Sequence, residues 1–303
     1  MSIATVKRHS GTQRIALWFY LRQNVKQTVI IAWIAAISAA SSLVGFINTY
    51  PDEASRQAFV SAFTGNTGLK LLLGATHDIA SVGGFVAWRT LGILVLIGSV
   101  WGLMLSTKLF RGEEQAGRTE LLLSGRTTLR RITVQFSVVT LVLSSLIFLL
   151  VFAATYASSV YKHANLSVTS LLFFSLSLML AVLVFMAIGA VSGQLFATRA
   201  QAMQMGAIVF GIAFLLRGLG ASVKDVHFLN DLSPIGWVQN LQPFTGSHWQ
   251  WLIPIVLLIG SCYCLAIWLA CRRDIQASIF ADNNSAPPKY RMLGSPLGLW
   301  IRM

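Results

Sequence analysis

The sequence predicts an all-α polytopic membrane protein. Six transmembrane helices follow an N-terminal interfacial helix, and a short polar helix joins the second and third spans. Three observations predict this class. The 303-residue chain is 55% hydrophobic and only 11% charged, whereas soluble domains carry about 25% charged residues. Its mean hydropathy is +0.68. Apolar runs of about twenty residues recur, each long enough to cross a bilayer as a helix. Barrel strands would alternate apolar and polar positions over about ten residues, and runs such as Leu171–Val191 do not.

The first element is 1–27, a cytoplasmic tail ending in an amphipathic stretch, "TQRIALWFYLRQNVKQ" at 12–27. Ile15, Trp18, Phe19 and then Leu21 or Arg22 recur at helical spacing, with Arg14, Arg22 and Lys26 around them. That pattern suits a helix lying in the inner interface, its aromatics at headgroup depth. The other reading is a plain extension of the first span into the cytosol. Because the polar lead is long and the first apolar run has spanning length, the first helix reads as retained and not as a cleaved signal. The transmembrane domain, 28–271, holds spans at about 28–48, 86–106, 133–157, 169–195, 203–220 and 251–271. A cytoplasmic tail, 272–303, closes the chain.

Orientation follows from the basic residues. With both termini inside, the inner segments are 1–27, 107–132, 196–202 and 272–303. Of the 23 Lys and Arg residues, all but Arg56, Lys70, Arg89, Lys162, Arg217 and Lys224 fall in those segments. Inner loops of membrane proteins are enriched in Lys and Arg. The same rule accounts for the net charge of +13 without nucleic acid as a partner, and it places the chain in the cell membrane.

The outer segments 49–85 and 221–250 are long for connections in a compact unit, and both read as partly helical or membrane-skimming. Trp237, Phe244, Trp249 and Trp251 suit an outer aromatic belt, or the lining of an exit for an apolar solute. His77, His163, His227 and His248 lie in outer segments, and His9 in the tail, without ligand spacing, so no metal is assigned. Cys262, Cys264 and Cys271 lack zinc or disulfide spacing and read as small buried hydrophobes. Gly98 with Gly102, and Gly189 with Gly193, are four apart within spans, a spacing that lets helix backbones approach closely.

Several absences narrow the function. No Asp or Glu lies inside the six predicted spans, where ion-coupled carriers keep relay groups. Arg89 and Arg217 sit near outer span ends, placed to snorkel to water. There is no phosphate-binding loop and no catalytic constellation, so the chain does not read as an enzyme. Driven work would take its energy from another subunit.

The segment "LFRGEEQAGRTELLLSG" at 109–125 is the polar exception. Glu114 and Arg118 are four apart with the acid first, the better order for a helical pair. Leu121 to Leu123 offer an apolar surface, Gly125 is placed to end the helix, and Thr127 or Thr128 to cap the next. Positive-inside arginines explain the basic residues. They do not explain Glu113, Glu114 and Glu120, since acids contribute little to topology. A docking surface for a partner explains both signs.

The stretch "TKLFRGEEQAGRTELLLSGRTTLRR" resembles the region between the second and third spans of ABC-2-type permeases, in the antibiotic-exporter family that includes tetronasin-type polyketide exporters. "LSPIGWVQNLQPF" at 232–244, "RRDIQASIF" at 272–280 and "SPLGLWIRM" at 295–303 match in the same order. The resemblance is to the N-terminal half of such permeases. It implies a cytoplasmic coupling helix, with Arg111, Glu113, Glu114, Gly117, Arg118 and Glu120 in the matching positions. Glu113 and Glu114 would meet basic groups of a separate ABC ATPase, Arg118 would hold Glu114 or a partner carboxylate, and the interfacial helix with Trp18, Phe19 and Arg22 would lie nearby. ATP and Mg would sit on the ATPase, with no cofactor in this chain. The family commonly has proline where this chain has Arg126, and its members usually continue into a second six-span half. The resemblance therefore implies pairing with another permease half, itself or a sister chain. A hydrophobic small molecule such as an antibiotic or drug would be exported between the halves, where Trp33, Phe46 and Trp101 are candidate aromatics. The alternative is a non-transporting assembly or sensor subunit that docks a cytosolic partner.

Overall fold

The computed structural model describes residues 3–124 and 127–273, with side chains described from Leu17 onward except those of 64 and 224. Gly125, Arg126 and the tail from 274 on, including "SPLGLWIRM", lie outside the described residues. Among the described residues, six helical stretches are long and apolar enough to cross a membrane: Leu17–Thr49, Val82–Gln115, Leu129–Tyr161, Val168–Leu195, Arg199–Ser222 and Trp249–Ala270. The chain is a multi-pass helical membrane protein.

Helix α1 runs from Ile3 to Thr49. The expected division into an interfacial helix and a span is not seen, because no proline interrupts 3–49. Pro51 ends it, since the residue before a proline is pushed out of helical geometry. Trp18 and Phe19 point outward, while Tyr20 is buried edge-on against Phe136 at 4.9 Å. The Arg22 guanidinium lies 5.0 Å from the Trp18 ring.

Two helices fill the first long connection: α2 (Glu53–Thr64), capped by the Asp52 carboxylate, and α3 (Thr67–Leu73), capped by Asn66. The second span is composite. Helix α4 (Val82–Val86) passes through a π-helical turn, Ala87–Leu91, into α5 (Gly92–Thr107). A second π-helical turn, Lys108–Gly112, leads into α6 (Glu113–Gln115). A short α7 (Arg118–Leu123) precedes α8 (Leu129–Tyr161), whose cap is Thr128. Then come α9 (Val168–Leu195), α10 (Arg199–Ser222), α11 (Phe228–Asp231), α12 (Pro234–Asn240) and α13 (Leu252–Ala270).

Helix α9 is the axis of the bundle, with α5, α8, α10 and α13 packed against it, while α1 lies along α8. Its buried face runs all round and includes Phe173, Phe174, Phe185 and Met186. The two Gly-x-x-x-Gly pairs lie in successive stretches of one helix contact: Gly98 and Gly102 receive Val182 and Met186 of α9, while Gly189 and Gly193 receive Ser106 of α5 and Phe110 of the following π-helical turn. A Cβ on Gly102 would come within 2.9 Å of the Val182 carbonyl oxygen, and one on Gly189 within 2.9 Å of Ser106 Cβ. This close approach lets Ser106 Oγ donate to the Met186 carbonyl. It is the small-residue packing that lipid-embedded helices use in place of hydrophobic drive.

At the end of the bundle away from 107–132, α3 is held by its C-terminal carbonyls. Both terminal nitrogens of Arg217 donate to the Leu72 carbonyl at 3.1 Å. Gln239 Nε2 donates to Leu73 O at 2.9 Å, and Trp88 Nε1 to Gly74 O at 3.3 Å. These donors satisfy carbonyls that a helix end leaves open. Arg217 is therefore fully buried and does not snorkel to water as its position near a span end predicted. Arg89 is exposed. The cysteines also differ from expectation: Cys264 and Cys271 are exposed on the bundle surface and Cys262 is half-buried, all three free. Of the four belt aromatics only Trp249 is largely exposed, and even it packs on Phe173 at 4.3 Å.

Candidate functional site: a buried charge clamp at the polar end

The polar segment is not a separate helix between two spans. It continues the second span through the π-helical turn to Gln115, because nothing from Gly92 to Gln115 breaks a helix. The chain turns at Gly117, which adopts φ of 72°. That left-handed conformation ends helices and suits glycine. The six residues of α7 then run on, Leu121 being 74% exposed and Leu122 and Leu123 packed against the core.

The turn decides where the charges go. Glu114 is buried, and its carboxylate receives Arg273 from just beyond α13, with Nη1 at 2.7 Å and Nη2 at 2.5 Å. Arg111, one turn earlier, places Nη1 3.3 Å from the same carboxylate. Arg111 Nε donates to the Ala197 carbonyl at 2.8 Å, and Arg273 Nε to Gln194 Oε1 at 2.7 Å. One carboxylate thus joins the end of the second span, the end of α13 and the α9–α10 connection. The bidentate arginine fork is the strong form of such a pair.

Glu113 is fully buried and pairs with Arg118, whose Nε and Nη2 donate at 2.5 and 2.9 Å. The Arg118 side chain is 45% exposed and closes over the acid from outside. The hydrogen bond to Glu113, with its charge, raises the Arg118 guanidinium above its ordinary value. Three more contacts brace the segment. Lys108 Nζ donates to Asn24 Oδ1 at 3.0 Å, Gln115 Oε1 accepts from the Arg199 backbone at 2.9 Å, and Arg199 Nη2 reaches the Met104 carbonyl at 3.4 Å.

The expected Glu114–Arg118 pair is thereby corrected. The break at Ala116–Gly117 swings Arg118 toward Glu113 and leaves Glu114 to Arg111 and Arg273. Neither Glu113 nor Glu114 presents its carboxylate at the surface, so neither is placed to meet basic groups of a partner. The exposed residues of the segment are Gln115, Ala116, Arg118, Glu120, Leu121 and Ser124. Trp18, Phe19 and Arg22 lie on the outward face of α1 and make none of the clamp's contacts; α1 reaches the segment through Asn24. Sequence reading missed Arg273, Gln194 and Asn24. The pair "RR" at 272–273 reads equally as a topological signal, and Gln194, an amide inside an apolar span and buried in the structure, is the available sign of a buried polar partner.

Residues 18–270 match the family described as the C-terminal domain of the multidrug efflux system permease Rv1217c. The chain belongs to that family. The match covers all six spans and the whole clamp except Arg273, and it bears out the resemblance to an exporter-type permease. The Rv1217c family is described by a C-terminal domain, whereas the resemblance pointed to an N-terminal half. The multidrug efflux system permease protein Rv1217c of Mycobacterium tuberculosis (strain ATCC 25618 / H37Rv) is 25% identical over 293 residues, covering 95% of this chain and 51% of that protein. The chain spans about half the length of this curated relative.

Proposed function

We propose that this chain is a transmembrane permease subunit of an ATP-binding-cassette exporter, moving hydrophobic compounds such as drugs or antibiotics out of the cell. ATP and Mg would be handled by a separate ATPase, and a second permease half, a like or sister chain, would complete the pathway. The relative's name as a multidrug efflux permease supports the transport reading. The positive-inside rule puts the polar end and both termini in the cytoplasm.

The observation that carries the coupling role is the three-way clamp on Glu114. A push on the segment 108–124 from the cytoplasm reaches the end of α13 through the buried Glu114–Arg273 ion pair, and α9 and the α9–α10 connection through the hydrogen bonds of Arg273 to Gln194 and of Arg111 to the Ala197 carbonyl. Packed, charge-locked elements of this kind move as units and do not deform continuously. The contact with the ATPase then falls to the exposed face, with Leu121 at its centre.

Leu121→Glu tests this reading. The side chain is exposed, so the melting temperature should stay within about 1 °C of wild type. Recovery of the ATPase with the permease, and export from reconstituted vesicles, should both fall by roughly tenfold, since a buried apolar anchor at an interface is worth about 1–2 kcal/mol or more. Wild-type export by Leu121→Glu removes the coupling role from this face. Transport by a lone chain in native mass spectrometry and vesicles removes the second half. An ATPase that binds without moving any compound favours the assembly or sensor reading.

A further inference from the structure

The far end of the bundle holds a cavity that the export reading does not use. Phe46 and Tyr50 stand on the last turn of α1 and beyond it. Phe59 and Phe63 are one turn apart on α2, and Phe85 and Trp88 lie at the start of the second span. Ring centroids fall 4.4 Å apart for Phe46–Phe85, 5.0 Å for Tyr50–Phe59, 4.5 Å for Phe59–Phe63 and 6.3 Å for Phe63–Trp88. These rings wall a cavity of about 380 Å³, within the range that holds small organic ligands.

One charged side chain lines it, Arg89, and no acid does. The Arg89 guanidinium lies 5.8 Å from the Phe85 ring, and among the described residues no carboxylate forms an ion pair with it. Arg56 is not among the lining residues; it lies 5.7 Å from the Phe46 ring with its Nε donating to the Tyr50 carbonyl. The π-helical turn Ala87–Leu91 sets Trp88 and Arg89 into the wall, and such turns recur where helices form binding sites. Gly45, itself exposed, stands at the edge of the lining. Arg89 is exposed at the edge of this aromatic void, so its guanidinium is free to hold an anionic group at the mouth while an apolar body lies among the rings.

We propose that this cavity binds an amphipathic anion, its apolar body among the six rings and its carboxylate, sulfonate or phosphate on Arg89. The site stands on the cavity itself; only its naming as a stop for exported compounds rests on the export reading. The same chemistry arises from an anionic phospholipid.

The experiment places the full chain in phosphatidylcholine nanodiscs and titrates 1-anilinonaphthalene-8-sulfonate, following energy transfer from tryptophan against empty discs. N-phenyl-1-naphthylamine, the same skeleton without the sulfonate, is the neutral probe. Wild type should bind the sulfonate saturably and roughly tenfold more tightly than the amine. Arg89→Gln should bring the two probes level, and Arg89→Lys should keep part of the preference. Equal binding of the two probes by wild type, or an unchanged preference in Arg89→Gln, overturns the proposal. Discs containing phosphatidylglycerol separate the sources. Displacement of the sulfonate, with lipid retained by wild type and lost from Arg89→Gln in native mass spectrometry, supports the site as a lipid site and leaves the export reading untouched. No displacement supports a soluble amphiphile. None of these readouts needs the ATPase, so a failed site and a failed export reading give different results.

Discussion

Replacing Glu114 by glutamine removes the single negative charge that faces two buried guanidiniums. At about 4 Å and an effective dielectric of about 20, each pair is worth about 4 kcal/mol of attraction, offset in the folded protein by the desolvation of three ions. Removing one partner of a buried pair costs about 3–5 kcal/mol, because the remaining charge stays buried without compensation. Here Arg111 and Arg273, both nearly buried, are left facing each other. Arg273→Met differs in kind: Glu114 loses two donors and Gln194 one, but the carboxylate keeps Arg111 at 3.3 Å as its counter-charge. Its expected cost is about 2–3 kcal/mol. The assay is thermal unfolding in detergent by tryptophan fluorescence, read as an operational midpoint since membrane proteins seldom refold on cooling. At a few degrees per kcal/mol, Glu114→Gln should lower the midpoint by roughly 6–10 °C and Arg273→Met by roughly 4–6 °C. The reasoning is refuted if Glu114→Gln melts within 1 °C of wild type, or if Arg273→Met is the more damaging change.

The other expectations follow from the same structure. Arg118→Gln strips the lid from the buried Glu113 and should lower stability by about 2 kcal/mol, seen as a lower midpoint with insertion unchanged; an unaltered midpoint would mean that water reaches Glu113 freely. Gly189→Leu forces atoms into the space of Ser106 and should cost about 1–3 kcal/mol, whereas Gly211→Leu, with open space around its Cβ, should be silent in the same melt. Arg217→Met takes both donors from the Leu72 carbonyl, so amide exchange in α3 should quicken while α9 stays protected; equal protection would assign the anchoring of α3 to Gln239 and Trp88 alone. His77 is held below its ordinary 6.5 by burial, and further by His248 and His227. Unfolding therefore takes up a proton, so this contribution to stability is complete above about pH 6.5 and declines as the pH falls below it. His77→Gln should flatten that decline in midpoint between pH 7 and 5, and an identical slope would exclude His77 as its source.

Most of the architecture was legible because a bilayer imposes length and composition on every span. Runs of twenty apolar residues, with basic residues gathered in alternate connections, determine six helices and their order without reference to what packs on what. Local rules were equally readable: Thr128 caps α8 and the Gly-x-x-x-Gly spacings lie at the closest helix approach. Three features escaped. The division between interfacial helix and span was read into 12–27 from its aromatics, although no residue there stops a helix. Arg217 was placed at the water interface by its depth alone, and α3, which folds back to meet it, carries no signal that names its partner. The aromatic cavity was legible only as scattered rings, of which Phe46 was singled out and the other five were not.

The polar segment marks the boundary most sharply. Its composition alone established that a cluster of acids and arginines stands between the second and third spans, and that topology does not require the acids. Which arginine each acid would meet was a matter of three-dimensional placement. Spacing favoured Glu114 with Arg118, four residues on. The left-handed turn at Gly117 breaks that register and turns Arg118 onto Glu113. Glu114 is then satisfied by Arg273, 159 residues away in sequence, because α13 ends where the second span ends. A sequence determines charge, length and local turn preference. Burial of a carboxylate against a distant guanidinium is decided only when the helices have packed, since desolvation and pairing depend on what surrounds a group and not on its neighbours along the chain.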